Sequence, residues 1–242
     1  MVAVGALALS ATSTGASGLI EIRGAENSSS HLRLTTSGGD ILVNGFLAPS
    51  GQTGCRMTHG ESEAVCSTDG ASGIEITMGS QDDKVEVLDP MPLPVTVYLG
   101  DGSDKFIGNS EPDTCYPQGA KRNRCYGGAG NDICITGQQN SDCVGDGGDD
   151  YCRHGAGSDG CWGDFAIGGE GDPSGDDPRG GNPGDDICVM GPGMDGCHGG
   201  PGNDKLYGGP QADQLYGEAG NDFCDGGPGV GKSHTCETGP GH

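Results

Sequence analysis

Residues 181–225 read GNPGDDICV, MGPGMDGCH, GGPGNDKLY, GGPQADQLY and GEAGNDFCD, five nonapeptides in unbroken succession. Each places Asp at its sixth position (Asp186, Asp195, Asp204, Asp213 and Asp222) and Cys or Leu at its eighth. Working outward, the same phase governs GGAGNDICI from Gly127, GDGGDDYCR from Gly145 and HGAGSDGCW from His154, which supply Asp132, Asp150 and Asp159. The cysteines keep the count independently. Cys125, Cys134, Cys143, Cys152 and Cys161 are nine residues apart, and Cys188, Cys197 and Cys224 fall on the same phase. A fixed period of this kind marks a solenoid, in which each repeat buries its apolar residue only by stacking on neighbours.

Each position has a physical reason. Glycines permit the left-handed dihedrals of a six-residue turn and let backbone carbonyls converge, and the sixth-position Asp adds a carboxylate to them. The last three residues are extended, so the eighth faces inward and the seventh and ninth outward. Successive repeats then descend alternate sides of a flattened coil, and residues 18 apart become strand neighbours. The expected fold is all-β, a right-handed parallel β-roll. At the outward ninth position Tyr126, Val144, Trp162, His198 and Tyr216 share one face.

Composition agrees. The 242 residues include 51 Gly and 14 Pro, with 32% hydrophobic and 5% aromatic side chains, too few for an ordinary core of this length. Collagen would need Gly at every third position. No apolar run is long enough for a membrane-spanning helix. Thirty-five acidic against 12 basic residues give a net charge of −23, which disfavours nucleic acid and suits hard cations that take oxygen ligands.

The pattern resembles the RTX (repeats-in-toxin) calcium-binding family, whose nonapeptide is G-G-x-G-x-D-x-U-x, with U a large apolar residue. That resemblance implies Ca²⁺ held between turns 18 apart by carbonyls and Asp from both. It pairs Asp186 with Asp204, Asp195 with Asp213, Asp204 with Asp222 and Asp132 with Asp150. Asp159 with Asp177 makes a fifth pair, so four or five ions are expected. Gly127, Gly145, Gly181, Gly199, Gly208 and Gly217 open the corresponding turns. Weaker units, MGSQDDKVE from Met78 and LGDGSDKFI from Leu99, offer Asp83 and Asp104 out of phase, each on its own strand–turn–strand. A looser resemblance, resting on the Cys55–Cys66 spacing, is to secreted actinobacterial calcium-binding proteins in which a short β segment precedes RTX units.

Departures set the boundaries. In TGQQNSDCV from Thr136, Ser141 takes the place of Asp and Asp142 comes one residue late. Strict phase would turn Glu170 and Arg179 into the core, a costly burial, so residues 163–180 are expected as a loop thrown out of the roll. GGPGVGKSH from Gly226 has Gly231 at the sixth position and is expected to cap the roll. It fits the letters of a phosphate-binding loop, but no apolar strand precedes it and no helix-forming run follows. Upstream, LIEIRG, HLRLTT and ILVNGFL alternate like half-buried strands. The expected organisation is a signal-like or flexible segment over 1–18, a β lead-in or cap over 19–98, and the roll over 99–242.

The 12 cysteines fit an oxidising compartment, with packed thiols and zinc as the other readings. Strand neighbours such as Cys134 and Cys152 lie within disulfide reach, about 4.8 Å, but that ladder leaves Cys188 and Cys197 facing Glu170, Leu206, Arg179 and Leu215. Pairing across the core uses every cysteine: Cys55–Cys66, Cys115–Cys125, Cys134–Cys143, Cys152–Cys161, Cys188–Cys197 and Cys224–Cys236. It requires the two sheets to approach more closely than their usual separation of about 10 Å. No zinc-helix or nucleophile-elbow motif is present. The function expected is a secreted calcium-binding β-roll without enzymatic activity and with a structural or surface role. The alternatives are a self-assembling or adhesive extracellular module, and an accessory fragment of an extracellular enzyme.

Overall fold

The computed structural model describes residues 10–13, 18–24, 29–45, 55–58, 63–119, 121–164, 183–229 and 232–239. Two sheets face each other. The first runs in the order Ser10–Ser13, Leu19–Arg23, Gly73–Thr77, Val95–Tyr98, Thr114–Tyr116, Ile133–Ile135, Tyr151–Arg153, Ile187–Val189, Lys205–Tyr207 and Phe223–Asp225. The second runs Lys232–His234, Gln214–Ala219, Gly196–Pro201, Gly160–Asp164, Ser141–Gly147, Asn123–Ala129, Lys105–Ile107, Lys84–Val87, His31–Ser37, Asp40–Asn44, Glu63–Ser67 and Cys55–Thr58. The chain alternates between them, pairing parallel with the coil before, as Cys134 on Cys152 and Cys143 on Cys161 show. This is the parallel β-roll. No helix occurs among the described residues.

The coil begins earlier than residue 99. Leu19–Arg23 pairs parallel with Gly73–Thr77, and His31–Ser37 with Lys84–Val87. The units bearing Asp83 and Asp104 are not separate strand–turn–strand elements. Their strands, Lys84–Val87 and Lys105–Ile107, are parallel neighbours in the second sheet. Their spacing of 21 residues is absorbed in the connection through Leu88–Pro94, so register in the sheet survives a break of phase in the sequence. Antiparallel pairing joins Ser10–Ser13 to Leu19–Arg23 in the first sheet. In the second sheet it builds an excursion in which Asp40–Asn44, Glu63–Ser67 and Cys55–Thr58, in that spatial order, extend the end beyond His31–Ser37.

The core is a narrow stack of inward side chains, two per strand upstream and one per strand over the cysteine-bearing coils. Upstream these are Ile20, Ile22, Leu32, Leu34, Ile74, Ile76, Val85 and Val87, and downstream they are mostly cysteines until Leu206 and Leu215. Small cysteines let the sheets pinch together. Cα atoms of Cys134 and Cys143 stand 6.1 Å apart, and those of Cys115 and Cys125 6.3 Å, within the span of a disulfide. Disulfides join Cys55–Cys66, Cys115–Cys125, Cys134–Cys143 and Cys224–Cys236. The expected Cys152–Cys161 bridge is not formed; Cys152 is a free, buried thiol. Cys188 instead contacts both Cys161 and Cys197 across the core, at Cα separations of 6.6 and 6.7 Å. A sulfur makes one such bond, so Cys188 takes one of these partners. On the outer face of the second sheet Trp162, His198 and Tyr216 stand in register, with the last two rings stacked at 4.5 Å.

Candidate metal centre

The turns lie along two edges. On the first edge they span 108–113, 127–132, 145–150, 199–204 and 217–222, each leading into a strand of the first sheet. One further turn is split. Gly163 and Asp164 are its first two residues, and Pro183, Gly184, Asp185 and Asp186 its last four. The expected loop at 163–180 is therefore displaced: the insertion is 165–182, and it lies outside the described residues with Glu170, Asp177, Arg179 and Gly181. Gly163, not Gly181, opens the turn that ends in Asp186. A Cβ on Gly163 would collide with Asp186 Oδ2.

The sixth-position carboxylates form a ladder. Oδ1 of each accepts the backbone N–H of its counterpart one coil earlier: Asp132 from Asp113 (2.6 Å), Asp150 from Asp132 (2.8 Å), Asp186 from Asp150 (2.8 Å), Asp204 from Asp186 (2.8 Å) and Asp222 from Asp204 (2.9 Å). Glu237 closes the row by accepting the Asp222 N–H at 2.8 Å. The Oδ2 atoms of Asp132, Asp150, Asp186, Asp204 and Asp222 are buried and have no hydrogen-bond partner. Such atoms are costly to bury unless a cation or proton meets them.

Glycine makes the space. At Gly127, Gly145, Gly199 and Gly217 a Cβ would run into the Oδ2 of Asp132, Asp150, Asp204 and Asp222 respectively. At Gly127 it would also meet the Gly145 carbonyl oxygen at 2.7 Å, so carbonyl and carboxylate oxygens converge at the edge.

The second edge carries a shorter ladder. Asp104 accepts from Asp83 (2.7 Å), Asp159 from Ser141 (2.7 Å), Asp195 from Asp159 (2.8 Å) and Asp213 from Asp195 (3.0 Å). Asn123 and Ser141 occupy the rungs between Asp104 and Asp159. Asp159 thus stacks on Asp195, not on Asp177, because the chain resumes one full coil later. Asp142 leaves the ladder and pairs with Arg122 at 2.8 and 2.9 Å. Here the first turn position holds Leu99, Thr136, His154 and Met190, all buried, and becomes glycine only at Gly208, beside Asp213 Oδ2. Burial holds His154 neutral, its pKa lowered to about 4.

Without a cation the carboxyls resist ionisation. Burial raises Asp150 to about 10, with Asp186, Asp132 and Asp164 adding repulsion. It raises Asp186 to about 8, Asp132 and Asp204 to about 7, and Asp159 and Asp195 to about 6. Asp83, Asp213 and Asp222 are raised in the same way.

Three buried carboxylates escape the nonapeptide reading. Asp113 belongs to GNSEPDTCY from Gly108, a unit with Asp sixth and Cys eighth but only one glycine in its turn. Asp146 and Asp164 sit at second positions, where the repeat pattern has glycine, and both are buried. The signal for them was the shared GD start of two turns, hidden by the insertion within the second.

A parallel β-roll whose turns stack unpartnered carboxylate oxygens against carbonyls is a divalent-cation scaffold built on hard oxygen ligands. The RTX calcium-binding nonapeptide repeat matches in four copies over residues 119–142 and 198–231, so these stretches carry repeats of that kind. No curated protein and no solved structure matches it.

Proposed function

We propose that this chain is a secreted, calcium-dependent β-roll with a structural or surface role, folding around ions held between stacked turns. The observation that carries this reading is the row of buried Oδ2 atoms without partners, each beside a glycine-lined gap. Ions would lie between Asp132 and Asp150, Asp150 and Asp186, Asp186 and Asp204, and Asp204 and Asp222. On the second edge the gap between Asp195 and Asp213, with Gly208 open, is the corresponding place. Calcium supplies the positive charge that lets these carboxylates ionise while buried. Export fits the disulfides, which persist in oxidising compartments. We read the chain as binding rather than catalytic, because its buried carboxylates share one repeated environment and an acid–base pair needs two different ones.

Circular dichroism in chelator and in millimolar Ca²⁺ tests the reading. The β signal should be largely lost in chelator and return with calcium, with affinities roughly in the 10⁻⁴ to 10⁻³ M range of extracellular modules. An identical β signal in both conditions, with no calcium bound, would overturn it.

A further inference from the structure

Two consecutive first-edge turns differ from the rest. The turns at 127–132, 199–204 and 217–222 read GGAGND, GGPGND and GEAGND, with Asn fifth and Gly or Glu second. The turn at 145–150 reads GDGGDD, and the split turn, once 165–182 is set aside, reads GDPGDD. Both carry Asp at the second, fifth and sixth positions, so the two turns hold six carboxylates, of which Asp146, Asp150, Asp164 and Asp186 are buried and Asp149 and Asp185 exposed.

The geometry gathers them. Asp146 and Asp164 are in-register partners on neighbouring strands of the second sheet. They are 3% and 8% exposed, so both enter the fold rather than solvent. Asp146 adopts φ 77°, a left-handed conformation that costs a non-glycine residue energy and that Gly128 and Gly200 occupy at the equivalent position. Asp164 accepts the Gly184 N–H on Oδ2 at 2.5 Å, tying the residue before the insertion to the turn after it. Its Oδ1 is buried without a hydrogen-bond partner, as are Oδ2 of Asp150 and Oδ2 of Asp186. Asp149 accepts the Asp185 N–H at 2.9 Å, where flanking coils use Asn131 and Asn203. Asp164 raises the carboxyls of both Asp150 and Asp186 by repulsion, which places it near each of them.

We propose that the gap between these two turns is a calcium site of a separate class, in which Asp146 and Asp164 add second-position carboxylates to Asp150 and Asp186, and that it fills before the other gaps. Affinity for Ca²⁺ rises with the number of charged ligands, and here that number exceeds that of a gap built on sixth-position Asp alone. This inference rests on the calcium reading of the roll above.

Calcium titration of the whole chelator-stripped protein by calorimetry tests it, with Ca²⁺ itself as the probe. The native chain should show a class of binding about tenfold or more tighter than the remainder. The double variant Asp146→Gly and Asp164→Gly restores the residue found at Gly128 and Gly200, and should merge the tight class into the weaker one while the β signal in saturating calcium persists. Asp146→Asn with Asp164→Asn, which keeps side-chain volume, should do the same. A native chain that binds calcium in one class, or a tight class unchanged in either variant, overturns this inference and leaves the calcium reading standing. Loss of the β signal in saturating calcium in both variants also overturns it, since the site would then carry the fold. A native chain that binds no calcium overturns both.

Discussion

Asp204 shows what a single position contributes. Its Oδ1 accepts the Asp186 N–H, its own N–H is given to Asp222, and its Oδ2 is left for an ion. It therefore faces two gaps, and Asp204→Ala should remove ligands from both while stranding the Asp186 N–H, a loss of roughly 1–3 kcal/mol for the buried donor alone. The expected result is a calcium stoichiometry lower than that of the native chain, measured by equilibrium dialysis; an equal stoichiometry would refute the placement. The same carboxyls set the pH response. An Asp whose folded pKa lies above its unfolded value of about 3.9 contributes stability in full below that value and loses it as pH rises through the folded one. For Asp132 and Asp204, raised to about 7, and Asp186, raised to about 8, the calcium-free roll should gain β structure as pH is lowered from 8 towards 4. Calcium competes with those protons, so its affinity should fall over the same interval. Circular dichroism of stripped protein against pH checks the sign, and a β signal that weakens on acidification would contradict it.

At the scale of the strand and turn, Cys115–Cys125 and Cys134–Cys143 cross the core because each cysteine meets the opposite sheet where the roll is narrow, whereas Cys55–Cys66 joins register neighbours within one sheet. Peptide mapping under non-reducing conditions should recover Cys115–Cys125 and Cys134–Cys143 and no Cys134–Cys152 species, although the last two are register neighbours. Cys152, buried and with its thiol pKa pushed up by burial, should resist alkylation in the native protein and react after denaturation. Each closed loop near ten residues contributes on the order of 2–3 kcal/mol, so reduction should raise the calcium needed for folding. The nine-residue phase made the downstream strands, the inward cysteines and the sixth-position ladder legible, because sequence period and coil length coincide there. Upstream they do not. Asp83 and Asp104 are 21 residues apart yet adjacent in the ladder, and Leu19–Arg23 neighbours Gly73–Thr77 across 54 residues that include the antiparallel excursion, not one 18-residue coil. Asp113 was masked by the loss of turn glycines, and the stacking of Asp159 on Asp195 by the insertion between them.

For the whole molecule, a net charge of −23 and a thin core of one inward side chain per strand over the cysteine-bearing coils fit the calcium reading proposed above, on which folding and cation uptake should be one event. Stability is then close to a sum over neighbouring coils. Loss of an ion at one gap would loosen the coils beside it before the ends of the roll.

The split turn adds a consequence of a different kind. Joining Asp164 directly to Pro183 regenerates GDPGDDICV, a complete repeat unit nearly matching GDGGDDYCR. Register on either side is set by the pairing of Tyr151–Arg153 with Ile187–Val189 and of Gly160–Asp164 with Gly196–Pro201. The chain with 165–182 deleted should therefore fold in calcium with an undiminished β signal, and a collapse of that signal would show that the flanks do not suffice. If they do suffice, Asp164–Pro183 is a splice point: a scaffold port at which a foreign peptide of chosen length can be displayed, its two ends clipped together whenever the neighbouring gap is loaded.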